Sequence, residues 1–295
     1  FSEPGVTFFL MGSVWMTLCH AQRLCLRSAT AVGLWALGAV LTKYVAVIVL
    51  PALLIHLIMS HKHAGSTWRK LPIQSWKTVV AFASPFLLTV LPMLLLLAIF
   101  FDFRLLYEEE LIGGIQRGWF GVPLTLGMTG LLASWGKSIF LYNPILLISI
   151  LGSLWFAKRH GWQSLLFIAI PLAYLLLYSK KEVWYGGNSW GPRYLMPTIP
   201  LLVCMAAPVF EWIGMQRHRW VSLATATLLV VSVIPQILGV SKDFDQYLGL
   251  YADQIVWQLP DNGAVYGGKQ YQQWSSIQPE GDLAAVLFAP QFSPI

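Results

Sequence analysis

Apolar residues in this chain come in runs separated by short basic punctuation. Residues 5–20 form the first run, closed by Arg23 and Arg27; residues 28–41 and 44–59 follow, with only Thr42 and Lys43 between them. A cluster of His61, Lys62, His63, Arg69, Lys70 and Lys77 precedes the run at 78–101. After a polar excursion over 102–143 come runs at 144–157, closed by Lys158 and Arg159, at 163–178, at 195–213 and at 220–240, with Arg217 and Arg219 between the last two. A helix needs about 20 predominantly apolar residues to cross a bilayer core, and fewer where the membrane thins around it. The pattern therefore predicts an all-α, polytopic helical membrane protein with about eight transmembrane helices and extracytoplasmic loops. The helical domain covers residues 1–240, and a small polar tail, 241–295, follows it.

Residues 28–59 are long for one helix and short for two full crossings, and charge settles the reading. With two short helices and a tip at Lys43, the loops at 21–27, 60–77, 158–162 and 214–219 fall on one side. They hold ten of the nineteen Lys and Arg, and of the thirteen acids only Glu211, at a helix end, lies beside them. By the excess of Lys and Arg in cytoplasmic loops, that side is cytoplasmic. The protein is placed in the cell membrane, multi-pass, with the tail outside.

Composition agrees. A chain that is 57% hydrophobic and 11% charged, with mean hydropathy +0.64, has more apolar surface than one soluble core hides. Its net charge of +6 is scattered at the ends of apolar runs, which excludes a nucleic-acid patch. Cys19, Cys25 and Cys204 lie in or beside the spans, so no disulfide framework is expected. The chain opens at Phe1 with no signal-peptide pattern, and the expectation is a piece of something longer.

The loops at 102–143 and 179–194, the tail, Glu3 and Lys43 converge on the outer face. A lysine within reach of hydrocarbon costs several kcal/mol unless it is paired or reaches water. Lys43 therefore calls for an anion, or else snorkels to the headgroups. In WYGGNSWGPRYLMP (184–197), Pro192 is placed to open the next helix and Arg193 to lie in its first turn. A helix N-terminus with a guanidinium makes an anion seat, against the plainer reading of Arg193 as a headgroup anchor. Gly186, Gly187 and Gly191 let backbone approach a ligand or take positive φ. Trp184, Tyr185 and Trp190 fit an interfacial aromatic belt, or stacking on a sugar. In SWGKSIFLYNP (134–144), Lys137 precedes Pro144 and repeats the logic of a cation presented at a helix start, or of an interfacial anchor. Consecutive Glu108, Glu109 and Glu110 point about 100° apart on a helix and read as a solvated acidic run. GGIQRGWFG around Arg117 matches no phosphate-loop spacing. The histidines carry no metal-ligand spacing, and no nucleophilic triad, Walker loop or dinucleotide fingerprint is present, so no metal and no cofactor are assigned.

LWALGAVLTKYVAVIVLPALL, SEPGVTFFLMGSVW, LASWGKSIFLYNPILLISILG and WYGGNSWGPRYLMPTIPLL together resemble polytopic glycosyltransferases of the GT-C type, the group that includes the protein mannosyltransferases. The resemblance implies a membrane enzyme that moves a sugar from a lipid-phosphate-linked donor to a hydroxyl acceptor on the extracytoplasmic face, with inversion. A carboxylate would deprotonate the acceptor while cations stabilise the departing lipid phosphate. The family's base lies on the first outer loop, a region absent here. Glu3 matches the later SEP position rather than the base, so the catalytic residue stays unassigned. The residues expected to hold lipid phosphate and sugar are Arg193, Lys43, Lys137, Gly186, Gly187, Trp190 and Glu3. Partners are the donor and membrane lipid. A transporter or lipid flippase, and a non-catalytic membrane scaffold, are the competing classes. A transporter would be marked by inverted repeats and mid-membrane charge, which the sequence does not show. The tail, rich in Tyr247, Tyr251, Trp257, Tyr266, Tyr271 and Trp274, is expected to cover the outer loops as a lid.

Overall fold

The computed structural model describes residues 2–64, 71–100, 120–181, 184–186, 190–216 and 219–241. Gly187, the acids at 108–110, Arg117 and the tail with its proposed lid lie outside them. The described residues form helices α1 (Glu3–Arg23), α2 (Leu26–Thr42), α3 (Leu50–His63), α4 (Leu71–Phe100), α5 (Leu124–Ala133), α6 (Ile139–Tyr142), α7 (Leu146–His160), α8 (Ser164–Lys180), α9 (Ile199–Met205), α10 (Ala207–Gln216) and α11 (Arg219–Ser241). Three 3-10 segments, Tyr44–Val49, Gly161–Gln163 and Arg193–Thr198, complete the order. Among the described residues, five segments are long and apolar enough to cross a membrane: Tyr44–His63, Ile73–Met93, Leu146–Lys180, Arg193–Met215 and Trp220–Gly239. The chain is thus an all-α multi-pass protein by its helices. The helical region divides into two compact units built from interleaved segments.

The first unit comprises Phe1–Gly118, Ser149–Tyr174 and Leu195–Val209. Its centre is α1 packed along α2, with α4 against α2. Small residues permit the close approach: a side chain at Gly33 would run into the Phe82 carbonyl. Lys43 ends α2 because its backbone is extended, φ −155° and ψ 113°, while its N–H still closes on the Ala39 carbonyl at 3.0 Å. The 3-10 turn that follows leads to Pro51 in the first turn of α3, where its missing N–H costs nothing.

Contacts at the two ends of this unit show that Lys43 is a hairpin tip. At one end Lys43 meets Glu3 from the start of α1. At the other, His20 at the end of α1 lies 2.8 Å from the Ser28 hydroxyl on α2 and edge-on to His61 at the end of α3. His61 in turn reaches Thr78, near the start of α4, at 2.8 Å. The turn between α7 and α8 joins the same end, since Trp162 stacks on His63 at 4.5 Å. The described residues that flank the basic loops, His20 and Ser28, His61 and Thr78, and Trp162, therefore lie at one end of this unit.

The segment Leu146–Lys180 reads as one long apolar stretch by length, but it folds back on itself. Gly161 takes φ +56°, a left-handed conformation that side-chain-bearing residues avoid. Consequently Phe156 and Phe167 lie with ring centroids 5.0 Å apart, where a straight helix would hold them well over 10 Å apart.

The second unit comprises Trp119–Ile148, Leu175–Tyr194 and Phe210–Ile295. Within the excursion read as polar, the sequence LTLGMTGLLA forms α5, an apolar helix of ten residues. Its Gly127 abuts the backbone of Ser179, and Gly130 abuts the Trp184 ring. The C-terminal half of α11 is hooked to this unit by polar groups. Gln236 donates to the Tyr142 carbonyl at 3.1 Å, the Ile145 N–H donates to the Ser232 hydroxyl at 2.9 Å, and the Trp190 indole donates to the Pro235 carbonyl at 2.9 Å.

Candidate anion site

Of the two sequence segments singled out for their glycines, aromatics and cations, 134–144 and the described residues of 184–194 come together in the second unit. Each is locked by its own backbone chemistry. In the first, the Ser134 hydroxyl donates to the Gly130 carbonyl at 2.7 Å and accepts the Lys137 N–H at 3.0 Å. The Ser138 hydroxyl donates back to the Leu132 carbonyl at 2.6 Å and caps α6 by accepting the Leu141 N–H at 3.2 Å. Two serines thus hold the turn that carries Lys137, and Lys137 itself is 2% exposed.

Arg193 sits in a similarly fixed turn. Gly191 takes φ +65° with the Tyr142 ring so close that a Cβ would meet it at 2.8 Å, so only glycine serves there. The Arg193 N–H closes on the Gly191 carbonyl at 3.0 Å, and Pro192 is buried. On the other side, Tyr194 stacks on Tyr178 at 4.2 Å and 11°. Lys181 lies 4.8 Å over the Tyr194 ring and donates to its hydroxyl at 3.3 Å. Gly186, at φ +85° and buried, supplies the left-handed turn between the end of α8 and this segment.

The side chain of Arg193 comes within electrostatic reach of Lys137. Burial, and after it the Arg193 charge, depress the Lys137 ammonium to about 7 from an ordinary value of 10.5. Like charges within reach of each other repel, and a bound anion near them would lower that cost.

The structure revises three expectations about these residues. Arg193 opens a 3-10 segment of six residues rather than an α-helix, and its own N–H is already bonded. An anion held here would therefore have to be held by side chains and not by a helix dipole. Trp184 is 2% exposed and packed over Gly130, so it is a core residue of the second unit and not part of an interfacial belt. Trp190 bonds to Pro235, packs against Gly239 and meets Tyr142 edge-on, which gives it a part in seating α11.

Glu3 and Lys43 form a separate pair in the first unit. Their charged atoms lie 3.0 Å apart with side chains 5% and 18% exposed. The anion that Lys43 calls for is thus Glu3, forty residues earlier in the chain.

Sequence reading missed the stapling serines, the Tyr178–Tyr194 stack and the hooks on α11. Ser134 and Ser138 flank Lys137 in plain view, but nothing in the sequence marks which carbonyls they reach. Compared with protein-family models, with curated proteins and with solved structures, the chain matches none.

Proposed function

We propose that this protein is a membrane glycosyltransferase that takes a lipid-phosphate-linked sugar from the bilayer and transfers the sugar to an acceptor on the extracytoplasmic face. The observation that carries the reading is the buried Lys137 held beside Arg193 by a serine-stapled turn and a glycine-proline turn. In this reading both cations hold the phosphate of the donor, and they neutralise the charge that grows on it as the glycosidic bond breaks. The fork of Arg193 grips two phosphate oxygens, and Lys137 supplies a point charge.

The eight-span topology belongs to the same proposal. It adds α1, α2 and the separation of α7 from α8 to the five long apolar segments, with the basic loops cytoplasmic. Glu3 and Lys43 then lie at the outer ends of α1 and α2. In this reading their pair holds the α2–α3 hairpin tip in register, and the acceptor's base is unassigned.

The test is transfer from a radiolabelled polyprenyl-phosphate sugar by membranes containing the protein at matched amounts. The expected result is lipid-phosphate-dependent transfer that Arg193→Ala abolishes. Full transfer by Arg193→Ala, with Lys137→Met also silent, would remove the cationic seat from the mechanism.

A further inference from the structure

We infer that the end of the first unit where α2 and α4 begin is a seat for the headgroup of an anionic phospholipid, with Arg27 and Lys77 as its cations. The seat lies at the opposite end of α1 and α2 from Glu3 and Lys43, and it does not depend on the transfer reaction.

Hydrogen bonds fix the place. The Ser28 hydroxyl donates to the Cys25 carbonyl at 2.7 Å, so it accepts the Nδ1–H of His20 at 2.8 Å. The Thr78 hydroxyl donates to the Gln74 carbonyl at 3.0 Å and by the same logic accepts the Nε2–H of His61 at 2.8 Å. The two imidazoles meet edge-on with centroids 5.5 Å apart. A buried seam thus runs from α2 through α1 and α3 to α4. Arg27 immediately precedes Ser28 and Lys77 immediately precedes Thr78, so the seam sets both cations at one level. From there α2 and α4 run side by side in the same direction, since Gly33, five residues past Ser28, abuts the carbonyl of Phe82, four residues past Thr78.

The surroundings select the occupant. Arg23, Arg27 and Lys77 are exposed, and the sequence has no Asp or Glu between Glu3 and Asp102 or between Glu110 and Glu182. Helices α2, α3 and α4 and the turn between α7 and α8 therefore bring no carboxylate to this end. Large apolar side chains stand exposed among the cations: Leu26 beside Arg27, and Ile73 and Trp76 within one turn of Lys77. Ile73 also opens a segment long and apolar enough to cross a membrane. A nucleic acid or an acidic protein segment would answer the cations and leave these apolar surfaces in water. A phospholipid answers both, with a phosphodiester for the guanidinium and ammonium and acyl chains for the leucine, isoleucine and tryptophan.

The experiment titrates the full chain, purified in detergent, with phosphatidylglycerol or phosphatidylcholine of matched acyl chains in mixed micelles, and counts bound lipid by native mass spectrometry. The wild type is expected to prefer phosphatidylglycerol, and a large excess of inorganic phosphate is expected to displace none of it. Arg27→Gln and Lys77→Gln are each expected to weaken phosphatidylglycerol by about fivefold, and the double variant by about twenty-five-fold, with phosphatidylcholine unchanged. Both side chains are exposed, so unfolding midpoints in phosphatidylcholine are expected to match the wild type. Lys158→Gln, which removes the same charge from the end of α7, is expected to change affinity by less than about twofold. Arg193→Ala, in the second unit, is expected to keep the preference. Equal binding of the two lipids by the wild type overturns the inference, as does a preference undiminished in the double variant. An equal loss in Lys158→Gln replaces the seat with diffuse surface charge, displacement by inorganic phosphate replaces the lipid with a free anion, and loss in Arg193→Ala moves the lipid to the other unit. Each of these three also overturns it.

Discussion

Two lysines in this protein, one partly buried and one buried, are handled differently. Lys43, at the tip of the α2–α3 hairpin, meets a carboxylate, Glu3, at 3.0 Å. Lys137, in the turn between α5 and α6, lies within electrostatic reach of the Arg193 guanidinium. The first arrangement is closed: opposite charges from residues far apart in sequence answer each other, and the pair fixes the register of the hairpin against α1. The second brings two like charges within electrostatic reach of each other. A cation with its own acid reads as architecture, whereas a buried cation with a second cation in reach is the feature on which the proposed anion seat rests.

The sharpest break of this contrast is at Arg193. Arg193→Ala is expected to lower lipid-phosphate-dependent transfer by about a hundredfold or more, in the range seen when one preorganised charge-stabilising group is removed. Arg193→Lys, which keeps charge but loses the two-pronged grip, is expected to fall between that and the wild type. Initial rates at matched protein amount measure both, and equal rates for all three proteins would place the anion elsewhere.

Next in size is the core of the second unit. Trp184→Ala empties the space over Gly130 and is expected to cost about 3–5 kcal/mol, with Trp184→Phe costing markedly less. Thermal unfolding of the detergent-purified protein measures the difference. A near-silent Trp184→Ala would return that ring to the membrane interface.

The Glu3–Lys43 pair offers a test of closure. Glu3→Gln leaves a buried ammonium facing an amide and is expected to destabilise by about 3 kcal/mol, whereas Glu3→Gln with Lys43→Met recovers most of the loss. If the double variant is as unstable as the single one, the pair is not acting as a unit. Lipid-phosphate binding by the double variant is expected to remain, because the proposed seat is Lys137 with Arg193.

A smaller and slower signal comes from pH. Lys137 titrates at about 7 in the folded protein and near its ordinary 10.5 when unfolded, so between those values the unfolded chain binds the extra proton. Stability is therefore expected to rise with pH from about 7 toward about 10.5, and to gain nothing further from this group above that window. Lys137→Met removes this rise. Comparing the midpoint of unfolding of the two proteins across that range measures the effect, and parallel curves would mean that Lys137 is solvated.

Smallest is Trp190→Phe, which removes the indole donor to Pro235 and is expected to cost about 1 kcal/mol. Its expected signature is a lowered unfolding midpoint with transfer retained in the protein that remains folded. Loss of transfer without loss of stability would instead give that ring a part in holding sugar.

Several features were legible in the sequence because they depend on length and local chemistry. Runs of apolar residues fix where helices form in a bilayer, since every backbone N–H and C=O must be satisfied within the segment. The break at Lys43 was visible because a basic residue interrupts two short apolar runs, and the fold-back at 161 because Lys158 and Arg159 mark a membrane end. Arg193 and Lys137 stood out for the same reason, as cations among glycine and aromatic residues beside apolar spans. Helix α5 was hidden because ten apolar residues are too few to announce a crossing and sit inside a stretch that is otherwise polar.

What only the tertiary structure decided is which groups meet. The sequence marked Lys43 and Lys137 as cations beside apolar runs, each answered either by an anion or by the headgroups, because burial of an ammonium is expensive wherever it occurs. It left open that Glu3 answers one and that Arg193 approaches the other, since those encounters bring together residues forty and fifty-six positions apart and depend on how helices pack. The same holds for Trp184 and Trp190. Their composition suits an interface, a core or a sugar equally well, and the choice was made by Gly130 and Gly239, whose missing side chains leave room for the rings.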